Sequence, residues 1–234
     1  MSDKLDIMLS DLKIHIEYKY DYMQQLCKDY LAQFDKADIS ARAEDSAILK
    51  EKEMVPQAPL ESCESLCIYR TIAEQLPTFD RFVFHGAAIE YDGNAYLFTA
   101  PSGTGKTTHI NLWKKHLGDK VGIVNGDKPI IHVGDAVTVY GTPWAGKEGY
   151  QRNTKASLKA ICILKQSKTN SIVRLPTGDA INRLMRQVYI PHNAIALSRT
   201  LDLLGQMIQK IPVYELLCDI SENAFKTSYT EMTK

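Results

Sequence analysis

"TAPSGTGKTTH", residues 99–109, decides the reading of this chain. A triphosphate needs several donors converging on it. A glycine-rich turn offers backbone N–H groups with no side chains in the way. A helix starting directly after such a turn points its positive end at the same place. Ser102, Gly103, Thr104, Gly105, Lys106, Thr107 and Thr108 supply that arrangement here. Lys106 brings a cation for the terminal phosphates, and Thr107 a hydroxyl for Mg²⁺. Ala100 stands where the pattern G-x-x-x-x-G-K-[ST] has its first glycine, which is tolerable only if its φ is negative.

Around the loop, the required context is present. "NAYLFTA" reads as a strand running into the loop, and "TTHINLWKKHLG" as a helix ending at Gly118. "RFVFHGAAIEY" forms a hairpin with that strand through Asp92-Gly93. "KVGIVNGDKPIIHV" gives two short strands around a turn, and "AVTVYG" another hairpin arm. "KAICIL" is a buried strand with which "SIVRLP" is expected to pair. Helices are expected over roughly 177–188 and 193–210, then the strand "VYELLC" and a last helix capped by Ser221. Upstream, "KIHIEYK" and "ADISARA" read as strands, and the spacing of Met23 to Leu31 as a helix. "EDSAILKEKEMVPQAP" reads as a linker and Leu60–Leu76 as a helix.

Bulk properties narrow the function classes. Among 234 residues, 28 Lys and Arg balance 28 Asp and Glu, so the net charge is zero. That balance gives no electrostatic reason for nucleic acid or an anionic membrane as partner. A hydrophobic share of 44% fits a globular chain. No apolar run approaches the roughly 20 residues of a membrane span, and the acidic N-terminus does not resemble a signal peptide. The five scattered cysteines suit a reducing, cytoplasmic compartment.

The stretch "FHGAAIEYDGNAYLFTAPSGTGKTTH", 84–109, resembles the catalytic domain of the HPr kinase/phosphorylase family, and the loop wording resembles that of phosphoenolpyruvate carboxykinase. The likeness covers roughly residues 80–220 and is strongest from His85 to Pro129. It implies an α/β P-loop kinase fold with mixed β-sheets flanked by helices (residues 80–234); residues 1–79, outside the likeness, read from their own periodicity as a small α+β lobe. The likeness further implies ATP or another nucleoside triphosphate, Mg²⁺ and transfer of phosphate to a hydroxyl acceptor, with homo-oligomers common in the group.

By the same resemblance His85 lies next to the catalytic carboxylate, and Lys106 and Thr107 hold phosphates and Mg²⁺. "IVNGDKP", 123–129, matches an acidic turn in which two adjacent aspartates usually stand, one as base and one at the metal. Here they are Gly126 and Asp127. Three arrangements stay open. Asp127 keeps the metal while His85 takes the proton, since an imidazole exchanges protons near neutral pH. Alternatively Asp127 is the base, with Thr107 and water completing the metal shell. Otherwise Gly126 marks a nucleotide-binding module without transfer. "YGTPWAGKEGYQRN", 140–153, reads as a flap whose Lys147 and Arg152 reach phosphate and whose Trp144 stacks on a base or sugar.

Overall fold

The computed structural model describes residues 3–234 as two β-sheets sharing their cores with seven α-helices. The chain opens with an antiparallel hairpin, β1 (Asp3–Leu9) and β2 (Leu12–Tyr18). Its two-residue turn is Ser10-Asp11, both at positive φ. Then come α1 (Tyr22–Leu26) and β3 (Ile39–Ala41), which pairs parallel to β2. Next stand α2 (Asp45–Met54) and α3 (Leu60–Gln75). The expected linker over 44–59 is therefore a helix: Pro56 and Pro59 lie beyond its last turn and break nothing. The helix is held by buried Glu51, which pairs with Arg70 at 2.5 Å.

The larger sheet has nine strands. β4 (Arg81–Val83) and β5 (Ala87–Tyr91) are separate, because the chain leaves the sheet at His85-Gly86. The single expected run over 81–91 is thus two strands with different neighbours. β5 forms the expected hairpin with β6 (Asn94–Thr99), and both turn residues, Asp92 and Gly93, take positive φ. After the loop come α4 (Lys106–Leu117), β7 (Val121–Asn125), β8 (Ile130–Val133) and β9 (Val137–Tyr140). Gly118 ends α4 at φ 61°, and Lys114, Lys115 and His116 face the negative end of its dipole.

β10 (Lys155–Gln166) organises the sheet. It runs parallel to β6, while β9 pairs with its first residues and a later strand with its last. β11 (Ser171–Arg174), α5 (Thr177–Leu184), α6 (Ala194–Lys210), β12 (Val213–Cys218) and α7 (Glu222–Met232) complete the chain. β12 pairs parallel with β10 and antiparallel with β11, so "SIVRLP" pairs with β12 and not with β10. Asn193 caps α6 through its side chain. Ser221 makes no such bond to α7: its hydroxyl donates to Asp219 at 2.6 Å instead.

Three cores hold these layers. Leu203, Leu204 and Met207 of α6 pack on one face of the large sheet with Val124, Ile131 and Leu158. Ile110 and Trp113 of α4 cover the other face with Phe98 and Phe225. The third joins Ile7, Ile14 and Ile16 to Ile68 and Ile72 of α3, and reaches Val83, Ile130 and Trp144. The parallel strands β6, β10 and β12 place the glycine-rich loop at the C-terminal end of β6, where open α/β sheets bind ligands. Among the described residues, no helix is long and apolar enough to cross a membrane.

Candidate active site

The loop has the backbone that its sequence demands. Gly103 and Gly105 take φ of 79° and 107°, values that residues with a β-carbon rarely adopt. Ala100 is buried and is not among the residues of positive φ, so alanine sits there without strain. Ser102 and Gly103 are exposed at the tip, and Thr108 is exposed at the first turn of α4. Thr107 is half-buried beside it.

Lys106 folds back under the loop. Its Nζ donates to the Ala100 carbonyl at 3.1 Å and lies 3.2 Å from His85 Nε2. Burial lowers the Lys106 pKa from its usual value, and nearby Lys128 adds to that, against Asp127 and Glu148. This cation is poorly solvated and short of anionic partners.

His85 occupies the gap between β4 and β5. Its Nδ1 is 3.0 Å from Gln187 Oε1, an acceptor, so Nδ1 carries the proton. Gln187 also accepts the His85 backbone N–H, at 2.6 Å. Nε2 then faces both Lys106, at 3.2 Å, and Asp127 Oδ1, at 3.4 Å. A neutral ring accepts from the ammonium; a ring protonated at Nε2 donates to the carboxylate. The two contacts are alternatives on one nitrogen.

Asp127 sits on the turn after β7, which Asn125 builds. The Asn125 Oδ1 accepts the N–H groups of Asp127 and Lys128 at 2.9 and 2.7 Å, while its Nδ2 donates to the Thr142 carbonyl at 3.0 Å. The second carboxylate oxygen of Asp127 is paired with Lys128. Burial raises the Asp127 pKa, but the His85 ring and Lys128 outweigh it and bring it down to about 2. Asp127 is a carboxylate at any physiological pH.

Position 126 is closed. Gly126 donates its N–H to the Tyr150 carbonyl at 2.8 Å. A β-carbon there would stand 2.9 Å from the Ala145 carbonyl oxygen and 3.1 Å from Tyr150 Cβ. The segment 140–153 lies directly against the turn.

His85, Lys106 and Asp127 therefore meet. Lys147 is exposed and joins none of these contacts. Arg152 lies over Gly122, and Trp144 is buried, stacked on Tyr69 at 4.0 Å and bonded to the Ser65 carbonyl. Both are corrections: neither Arg152 nor the Trp144 ring is placed to meet a nucleotide, because the N-terminal sheet and α3 give Trp144 a core to fill. Lys128, Asn125 and Gln187 were missed. Asn before Gly-Asp is a turn-building signal, and Lys128 adjoins Asp127 in sequence; nothing in the sequence marks Gln187.

Two cavities flank this group. One, of about 350 Å³, lies outside the loop between Thr108 and Leu112 of α4 and the β12–α7 connection at Cys218–Ile220. The other, of about 200 Å³, is bounded by His85 and Lys128 on one side and by α3 on the other.

No curated protein matches the chain. Among solved structures, the HPr(Ser) kinase/phosphatase from Coxiella burnetii is similar at 10% identity and a TM-score of 0.36, covering 65% of this chain and 99% of that one. So low a superposition carries no argument about activity. The sequence itself matches a family profile over residues 60–229, which includes α3, the loop, His85 and Asp127, and the chain accordingly belongs to the family described as SynChlorMet cassette protein ScmC.

Proposed function

We propose that this protein is an ATP-dependent phosphotransferase acting on a hydroxyl acceptor. The convergence of Lys106, His85 and Asp127 beneath a helix-opening glycine loop carries this reading. Phosphoryl transfer is mainly positioning and charge neutralisation. The loop N–H groups and the start of α4 receive the β- and γ-phosphates, and Lys106 turns from His85 to them. The nucleoside then occupies the cavity between Thr108, Leu112 and Cys218–Ile220.

With Lys106 withdrawn, His85 Nε2 is free. Gln187 holds the proton on Nδ1, so Nε2 is the basic atom, and Asp127 stands ready to stabilise the imidazolium. The acceptor oxygen bonds to the γ-phosphorus, its proton passes to Nε2, and the bond to the β-phosphate oxygen breaks, releasing ADP. Asp127 and Thr107 are the groups that would hold Mg²⁺. Fit is indicated by Lys128, a cation already paired with one Asp127 oxygen, and Mg²⁺ commonly needs only one or two carboxylates beside phosphates and water. Such an ion would neutralise charge on the transferred phosphate. The test is γ-phosphate release or transfer from Mg-ATP by wild type and by Lys106→Ala; equal turnover in both sinks the assignment.

A second reading has its own observation. The space for a carboxylate at 126 is filled by the Ala145 carbonyl, which favours a nucleotide-binding module that transfers slowly or not at all. Mg-ATP binding without turnover on any hydroxyl compound would decide for it.

A further inference from the structure

The second cavity has a composition that specifies a ligand. Its walls are apolar, from Leu66 and Ala73 of α3 to Val83 of β4 and Val188. Its charged lining consists of Arg70, Lys128 and Arg186, with no carboxylate. Two of these cations are already matched: Arg70 by Glu51, Lys128 by Asp127. Arg186 has no hydrogen-bond or ion-pair partner among the described residues. The same cavity is lined by His85, whose Nε2 faces the loop lysine.

We infer that this cavity binds the acceptor, and that the acceptor is a compact hydroxyl compound bearing a carboxylate, which Arg186 engages while the hydroxyl reaches His85. The inference rests on the phosphotransferase reading for the role of the site, but the binding itself stands on the cavity. At about 200 Å³ the space falls below that of drug-sized pockets and suits a single amino-acid-sized moiety. A guanidinium recognises a carboxylate by two parallel hydrogen bonds, which gives the bound group a fixed orientation. Such a moiety can be a free hydroxy acid or the terminal residue of a peptide; the chemistry at Arg186 is common to both.

The test is calorimetric titration of the full chain, with and without Mg²⁺ and a non-hydrolysable ATP analogue. The probes are L-serine and a tripeptide ending in serine, each as free acid and as amide. Saturable binding of an acid but not of its amide is expected, weakened about fivefold in Arg186→Ala, more in Arg186→Glu, and regained in part in Arg186→Lys. Preference between free amino acid and tripeptide identifies the source. Arg186 is exposed, so these variants keep the fold. The inference is overturned if no acid binds at millimolar concentration, if amides bind equally, or if Arg186→Ala binds as wild type does. Failure of the ATP analogue alone, with acids still binding, would overturn the nucleotide reading and leave the cavity's assignment standing.

Discussion

Gly126 and Ala145 approach so closely that any β-carbon on Gly126 would lie 2.9 Å from the Ala145 carbonyl oxygen. An aspartate at this position therefore does not simply restore a missing carboxylate. Gly126→Ala is expected to cost about 1–3 kcal/mol by overpacking, and Gly126→Asp at least as much. Thermal unfolding of the two variants checks this; unchanged melting in either would mean that segment 140–153 yields easily. Gly126→Asp is also expected to bring no gain in phosphate transfer.

Lys106→Ala should separate nucleotide linkage from folding. The apo variant is expected to be nearly as stable as wild type, since the ammonium is poorly solvated where it lies. Mg-ATP at a hundred times Kd should stabilise wild type by about 2.7 kcal/mol, and the same concentration should leave the variant almost unmoved. Differential scanning fluorimetry with and without Mg-ATP measures both effects.

Asn125→Ala removes the acceptor for two backbone N–H groups and the donor to Thr142 together. A loss of about 2–4 kcal/mol is expected from groups left unpaired in a buried turn. Because that turn positions Asp127, transfer should fall further than Mg-ATP affinity does. Chemical denaturation and a Kd-against-kcat comparison read these separately.

Acid should weaken the fold in two windows. Burial lowers the His109 pKa from 6.5 to about 4, and its Nε2 bonds Ser228 within the α4–α7 core. The folded chain resists protonation there, so this contribution is complete above pH 6.5 and is lost as pH falls toward 4. Its full size is about 3 kcal/mol. Asp127, lowered from 3.8 to about 2, contributes above 3.8 and loses that contribution only as pH falls toward 2. Urea midpoints of wild type at pH 7.5 and 5 should differ, and His109→Gln should flatten that difference. An equal slope in both would refute the role of His109.

The loop and the hairpin feeding it were legible because each depends on local chemistry, whereas the grouping of His85 with Lys106 and Asp127 came only from the family resemblance. Glycines at positive φ, a Lys-Thr pair and an Asp-Gly turn write their geometry into neighbouring residues. What was not legible depends on distant contacts. β1 was overlooked although Leu5, Ile7 and Leu9 alternate, because its Ser10-Asp11 turn contains no glycine. The helix over 45–54 is stabilised by an arginine nineteen positions away from Glu51. Trp144 looked available until α3 supplied Tyr69 to cover it. Gln187 reaches His85 across 102 positions, a separation at which no pattern in one sequence speaks.

The Tyr69–Trp144 stack has a consequence for how this protein can be dissected. The family match begins at residue 60, yet Ile68 and Ile72 of α3 share one core with Ile7, Ile14, Ile16 and Ile39 of β1, β2 and β3. A chain trimmed to residues 60–229 would lose the β1–β3 side of the core that α3 closes, and α3 carries Tyr69 and Ser65, the partners of Trp144. The family boundary and the folding boundary therefore do not coincide: the opening hairpin backs α3, and α3 in turn holds Trp144 in the segment that rests on Gly126.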